Sequence, residues 1–301
     1  MKQPRAGSSP VSEDDDDSPP LVLATNGSRG ISLVRSPQTH GDLGLSVSGK
    51  TEEWQQGGLL AAPETLPLWD LGAIDRQRVV IVAPHPDDET LGCGGAIALL
   101  ASKGYRVKVL VVSDGTGSHP NSQKYPAHIL QAVRSQETIS ALKLLGVSPP
   151  DITFLQLKDG AVPTVTSPSF LDAKTLCRNY LQATLPDTIF LPWRHDPHAD
   201  HRASWQLIQA AILSLGIAPQ IIEYPIWDWD RHQQRQVADL SRIVGWRLDI
   251  SSVLAQKTQA IGLYRSQLGQ LIDDDPDGFC LSSEMLANFT RPWEVYFEEI
   301  I

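Results

Sequence analysis

From Arg76 onward the chain repeats one pattern. A short β-branched apolar run is followed by a turn and then by a helix-length stretch with apolar residues at helical spacing. Val79–Ala83, Val107–Val112, Ile152–Leu155, Thr188–Leu191 and Gln220–Glu223 read as strands, with a last strand at Val244–Leu248. The intervening patterns predict helices over about 90–103, 129–145, 169–183, from the 198–202 loop to about 215, and 252–266. Strands alternating with helices make parallel βαβ units. The expected fold is therefore α/β: Rossmann-like and doubly wound, a mostly parallel sheet with helices on both faces. Such sheets bind ligands beyond the carboxyl ends of their strands, so the residues that follow each strand carry the functional information.

Two of those strand ends are unusually polar. The first strand runs into Ala83-Pro-His85-Pro-Asp87-Asp88-Glu89, and the fourth into His195-Asp-Pro-His198-Ala-Asp200-His201-Arg202. A parallel sheet brings both to one edge. Three His/Asp ligands with one position left open are how a catalytic zinc is held. His85, Asp88 and one histidine of the second cluster would make that set. Asp87 is then left as a base for a water, and the remaining histidine as a partner for a developing oxyanion. Spacing does not choose between the two histidines or between the two Asp. Read separately, each cluster is ordinary helix capping; a pair at two strand ends favours a metal site.

Bulk properties narrow the partners. With 41% hydrophobic and 20% charged residues among 301, the chain has the makeup of a globular protein. A net charge of −10 argues against nucleic acid and anionic membranes as partners. Cys93, Cys177 and Cys280 are scattered and odd in number, which suits a reducing compartment. No apolar stretch approaches the roughly 18 residues of a membrane span. No signal-peptide pattern opens the chain, so a cytoplasmic location is expected. Residues 1–58 read as an acidic, Ser/Pro-rich tail, 59–75 as a docking segment carrying Leu66, Leu68 and Trp69, and 76–301 as one domain. Oligomeric state leaves no trace in the sequence.

The two clusters together resemble the LmbE-like family, which includes the N-acetylglucosaminyl-phosphatidylinositol de-N-acetylases (PIG-L). The resemblance extends over about residues 76–270 and takes in Ser113-Asp-Gly115, Arg134 with Glu137, Asp159-Gly160 and Lys257…Tyr264-Arg-Ser-Gln267. It implies a zinc-dependent hydrolase that removes the acetyl group from an N-acetylglucosamine-type sugar or glycoconjugate. The implied metal ligands are His85, Asp88 and His201, and Asp87 is the implied general base. His198 is implied to hold the oxyanion, with Asp200 orienting it. Arg134 and Asp159 correspond to substrate contacts in sugar-binding relatives. His119 and Trp227 are added here as pocket candidates, Trp227 for its sugar-stacking ring. Some relatives carry a catalytic Tyr where this chain has Asp196, so that role is either vacant or filled from elsewhere, with Tyr224 as a candidate. Glu89 is expected to hold the loop and not to bind metal.

Other readings stay open. A set of two histidines and one aspartate suits ferrous iron as well as zinc. The same centre could hydrolyse another amide, an ester or a phosphoester. Gly92, Gly94 and Gly95 open a helix after a strand, superficially like the phosphate turn of a non-catalytic nucleotide-binding module, although the GxGxxG spacing is not met.

Overall fold

The computed structural model describes residues 58–300 except Asp75, Arg76, Arg231 and Ala238. The tail expected over 1–58 lies outside the described residues but for Gly58. Eight strands are present among the described residues: β1 (Leu68–Trp69), β2 (Arg78–Ala83), β3 (Arg106–Ser113), β4 (Ile152–Leu157), β5 (Thr188–Pro192), β6 (Gln220–Tyr224), β7 (Ile243–Asp249) and β8 (Trp293–Glu299). They form one sheet in the order β1-β7-β8-β6-β5-β2-β3-β4. Every pairing is parallel except the two made by β8. The helices are α1 (Asp88–Ser102), α2 (Ala127–Leu144), α3 (Phe170–Thr184), α4 (Ala199–Leu215), α5 (Leu254–Ile261) and α6 (Ser283–Phe289).

Period-two alternation sends the strand side chains to two cores. Val79, Ile81 and Ala83 join Val107, Val109 and Val111 on the face covered by α1, α2 and α5. Val80 and Val82 join Leu110, Val112, Ile189 and Leu191 on the face covered by α3 and α4. Both faces of the central strands are thus buried, which is why they read as continuous apolar runs. The strand order reverses between β2 and β5: β2 continues to β3 on one side, while β5 leads to β6 on the other. The two polar motifs follow these two strands, so they meet at the topological switch point where open α/β sheets bind ligands.

Three elements depart from the sequence reading. Leu68–Trp69 pairs in parallel with β7, and Leu59, Leu60 and Leu66 pack with Val295 and Phe297. β8 adds a strand beyond those read from the sequence, and its Glu294 is buried in an ion pair with Lys257. The helix expected to reach 266 ends at Ile261. Beyond it Tyr264, Ser266 and Gln267 turn inward, where their side chains bond to Glu89, Glu137 and Ser118 respectively.

The glycines of α1 answer to packing and not to phosphate. A Cβ at Gly92 would sit 2.3 Å from the Tyr224 ring, and one at Gly95 would sit 2.4 Å from Ile250 Cγ2. The nucleotide-turn reading therefore loses its sequence signal. Gly95→Ala should lower the unfolding free energy by about 1–3 kcal/mol, because overpacking against β-branched Ile250 outweighs the helix-propensity gain. A urea titration of the variant measures this; unchanged stability would show that Ile250 yields.

Candidate metal centre and its cavity

The turn after β2 is tight enough to force one residue out of ordinary backbone space. Asp87, which precedes α1, has φ 136° and ψ −29°. For a side-chain-bearing residue this is strained, a state that persists only when the surroundings enforce it. The enforcing contacts are visible: Asp87 N donates to Glu89 Oε2 at 3.2 Å, and Asp87 O accepts from Thr90 N at 3.0 Å and Leu91 N at 2.9 Å. Glu89 is fixed in turn by the Tyr264 hydroxyl. Glu89 thus holds the loop backbone.

This turn and the start of α4 bring three donor atoms together. His85 Nδ1 lies 3.2 Å from Asp88 Oδ2, His201 Nε2 lies 3.2 Å from the same oxygen, and the two ring nitrogens are 3.3 Å apart. Bonds of about 2.0–2.1 Å in tetrahedral directions require donors about 3.3–3.4 Å apart, so this triangle has the dimensions of one face of a metal tetrahedron. Both imidazoles turn their other nitrogen to carboxylates. His85 Nε2 is 3.3 Å from Asp159 Oδ1 and 3.3 Å from Asp200 Oδ2, and His201 Nδ1 is 3.3 Å from Asp196 Oδ2. Such carboxylate–histidine pairs fix tautomer and ring orientation in metal sites. His85, His198 and His201 also approach closely enough to share an ion, as do His85, Asp159 and Asp200. The donor set fits a cation.

The electrostatics agree. Burial disfavours charge on His201, yet Asp196 and Asp88 push its pKa up to about 9. His85 is raised in the same way by Asp159, Asp200 and Asp88 against its burial. Burial opposes ionisation of Asp88, but His201 and His85 hold it well below the usual carboxylate range. The site draws positive charge to its centre.

Asp87 and His198 flank this triangle. Burial pushes the Asp87 carboxyl up to about 8, with Asp88 and Glu89 adding to the shift and Arg134 opposing it. His198 sits at the N-cap of α4, where its Nδ1 accepts from Asp200 N at 3.2 Å. That bond assigns the proton to Nε2. Burial and the neighbouring imidazoles His201 and His85 lower its pKa to about 4, so the ring is neutral near pH 7. His198 is a neutral N–H donor.

The structure alters several expected roles. The Asp200 carboxylate does not reach His198: it accepts from Gly160 N at 2.7 Å and Val162 N at 3.2 Å and faces His85. Only its backbone N–H touches His198. Arg134 does not pair with Glu137. It donates to Gly115 O at 2.9 Å, Pro86 O at 2.7 Å and Asp87 Oδ2 at 3.2 Å, tying two loops to the turn. His119 does not line the cavity: it is buried beside Gly278, with Nδ1 3.1 Å from Ser118 Oγ. Tyr224 is a core residue whose hydroxyl donates to Val82 O at 2.6 Å, far from a proton donor's role. Asp196, noted in the sequence only as a departure, is wholly buried; besides facing His201 it accepts from His198 N at 2.8 Å and Trp227 N at 3.1 Å. Asp196→Asn should weaken metal affinity by about 10–100-fold, read by chelator competition. An unchanged affinity would remove Asp196 from the centre.

The cluster opens into a cavity of about 400 Å³, a size suited to a small ligand. His85, Asp87, Asp88, Arg134, Asp159 and His198 line one side. Asp159 Oδ2 accepts from Gly117 N at 2.8 Å; burial opposes its ionisation, but His85 and Arg134 hold it below the usual range. Trp227 stacks on His198 with ring centroids 5.8 Å apart. Gln267, Phe279, Leu281 and Met285 also line the cavity; they come from the C-terminal segment and were missed in the sequence. The Ser266-Gln267 pair was their only signal.

Several known proteins resemble this chain in sequence or in fold. Diacetylchitobiose deacetylase of Thermococcus kodakarensis is 27% identical over 197 residues, 64% of this chain and 71% of that protein. Among solved structures, the A40926 pseudoaglycone deacetylase Dbv21 superposes with TM-score 0.56 at 19% identity, over 75% of this chain and 98% of that one. GalB, the 4-carboxy-2-hydroxymuconate hydratase of Pseudomonas putida KT2440, superposes with TM-score 0.54 at 21% identity, over 65% of this chain and 81% of that one. These likenesses show the fold. The region from 80 to 212, which contains the donor triangle, Asp87 and His198, matches the family model described as PIG-L: GlcNAc-PI de-N-acetylase.

Proposed function

We propose that the chain is a zinc-dependent N-deacetylase acting on an N-acetylglucosamine-type sugar or glycoconjugate. The observation that carries this is the donor triangle of His85, Asp88 and His201, with the Asp87 carboxyl, held by Arg134, on one side and a neutral imidazole on the other. His85, Asp88 and His201 would hold the zinc ion, which would supply Lewis acidity for the hydrolysis. Asp87 takes the proton of the water that attacks the acetamide carbonyl. His198 donates from Nε2 to the oxygen that gains charge. The C–N bond breaks, Asp87 returns its proton to the departing amine, and acetate and an amino sugar result. Asp159, beside Arg134, faces the cavity as an acceptor for sugar hydroxyls, and Trp227 offers its ring.

The fold alone does not fix the reaction, since a hydratase shares it. Hydrolysis of a different amide or an ester uses the same groups. Acetate release from a panel of N-acetyl sugars by the zinc-loaded protein tests the proposal. Asp87→Asn should lower that rate by about 10²–10⁴-fold, the usual contribution of a general base, with metal content unchanged. Full activity in that variant would overturn the base assignment. Zinc-loaded protein that releases acetate from none of them would overturn the substrate class. Among the described residues no helix is long and apolar enough to cross a membrane.

A further inference from the structure

The acidic triplet Asp273-Asp274-Asp275 is not a solvated turn: its carboxylates face the 118–125 loop. Asp274 Oδ1 accepts from the Ser122 hydroxyl at 2.6 Å, and its Oδ2 accepts from Gln123 N and Lys124 N at 2.8 Å each. Asp275 Oδ2 accepts from Asn121 N at 2.9 Å. The loop lies between β3 and α2, outside both, so its amides must find partners elsewhere, and these two carboxylates supply them. The third acid, Asp273, meets Lys124 Nζ at 2.7 Å with both side chains well exposed, a pair that contributes little. A few residues on, the same segment becomes cavity wall. Phe279 N donates to Ser118 O at 2.7 Å and Leu281 N to Gln267 O at 2.8 Å. Phe279 and Leu281 line the catalytic cavity while Cys280 between them is exposed, the alternation of an extended backbone. Between the acids and the wall stands Gly278, where a Cβ would lie 2.2 Å from His119 Cδ2. That close approach seats the segment on the buried His119 ring. The 273–281 strap has no helix or strand of its own and lies outside the stretch that matches the family model.

We infer that Asp274 and Asp275 clamp this strap onto the 118–125 loop and so hold Phe279 and Leu281 in the cavity wall, which makes Asp274 a positioning residue for substrate binding and His119 the seat of the strap. The inference rests on the deacetylase reading and says what keeps its cavity formed. A substrate that touches the wall binds only the seated strap, so its apparent affinity falls with the fraction of time the strap is seated. The clamp bonds end on the 118–125 loop and not on His85, Asp88, His201, Asp87 or His198. Releasing the clamp therefore weakens binding and leaves the chemistry of the bound substrate alone, the signature of a higher KM at constant kcat.

The experiment compares zinc-loaded wild type with Asp274→Ala, Asp274→Asn and Gly278→Ala by two readouts. The first is the kinetics of acetate release from the best substrate of the N-acetyl sugar panel. The second is the spectrum of a nitroxide attached to Cys280, the exposed thiol beside buried Cys93 and Cys177. Asp274→Ala should raise KM about tenfold, the rise that follows when the strap is seated about a tenth of the time. Its kcat should stay within about twofold and its zinc content should match wild type. The nitroxide should become more mobile. Asp274→Asn keeps one acceptor oxygen, so its KM should fall between the two. Gly278→Ala leaves both carboxylates in place but crowds His119, and its KM and nitroxide should shift in the same direction; should Asp274→Ala fail to fold, this variant carries the test by the same readouts. An unchanged KM, a loss of kcat together with zinc, or a nitroxide no more mobile than in wild type would overturn the inference. The two readouts also separate the two proposals: wild-type protein that releases no acetate overturns the deacetylase reading, while the nitroxide spectra still decide whether the clamp holds the wall.

Discussion

Asp88→Asn protein should purify without stoichiometric metal and release acetate at a rate indistinguishable from background. Asp88 Oδ2 lies 3.2 Å from both the His85 and the His201 imidazole, and it also accepts from His85 N at 2.9 Å. Replacing the carboxylate by an amide removes a ligand and its charge while keeping its shape. The loss should exceed the roughly 10–100-fold that removal of an outer partner such as Asp196 brings. Metal analysis of the purified variant beside wild type measures occupancy, and acetate release measures the consequence. Two outcomes distinguish the roles of the paired acids: Asp88→Asn loses metal and rate together, whereas Asp87→Asn loses rate alone. Full metal occupancy in Asp88→Asn would move the centre to the His85–His198–His201 group that also lies within reach.

The sequence made the switch-point chemistry legible because both motifs follow strands whose apolar runs are continuous. Those runs are continuous because the strands are buried on both faces, and strands of that kind lie at the centre of a sheet where its order reverses. Edge elements lacked that signal. β8 carries Glu294, Glu298 and Glu299 around Val295-Tyr-Phe297, and nothing local tells that Glu294 turns inward to Lys257. The roles of Asp196 and Asp200 were hard to read for a related reason. Both carboxylates act on residues brought near by folding, Asp200 on His85 from the neighbouring strand end and Asp196 on the ring of His201 in the first turn of α4. Spacing names which residues share an edge but not which way each carboxylate faces. The same limit made Gly92 and Gly95 look like a phosphate turn, since the Tyr224 and Ile250 side chains that demand them are distant in sequence.

Lys257→Met should destabilise the fold by about 3–5 kcal/mol, the usual cost of leaving one member of a buried ion pair without its partner. Lys257 and Glu294 have side chains only 1% and 3% exposed and meet at 2.7 Å. Lys257 Nζ also donates to Leu91 O at 2.7 Å, while Glu294 accepts from Gly95 N at 2.7 Å, Ala96 N at 2.8 Å and the Tyr296 hydroxyl at 2.7 Å. The pair therefore binds the middle of α1 to α5 and β8, and α1 is the helix that carries Asp88 at its first turn. Methionine fills the space of the lysine stem but leaves the Glu294 charge and the Leu91 carbonyl short of a partner. Urea denaturation at neutral pH reads the loss. Glu294→Gln should cost less, because the amide keeps an acceptor for Lys257 or for one helix amide. Combining Lys257→Met with Glu294→Gln should recover part of the single-variant loss, since no unpaired charge then remains buried. Strict additivity of the two would mean that the ion pair contributes nothing beyond its separate hydrogen bonds.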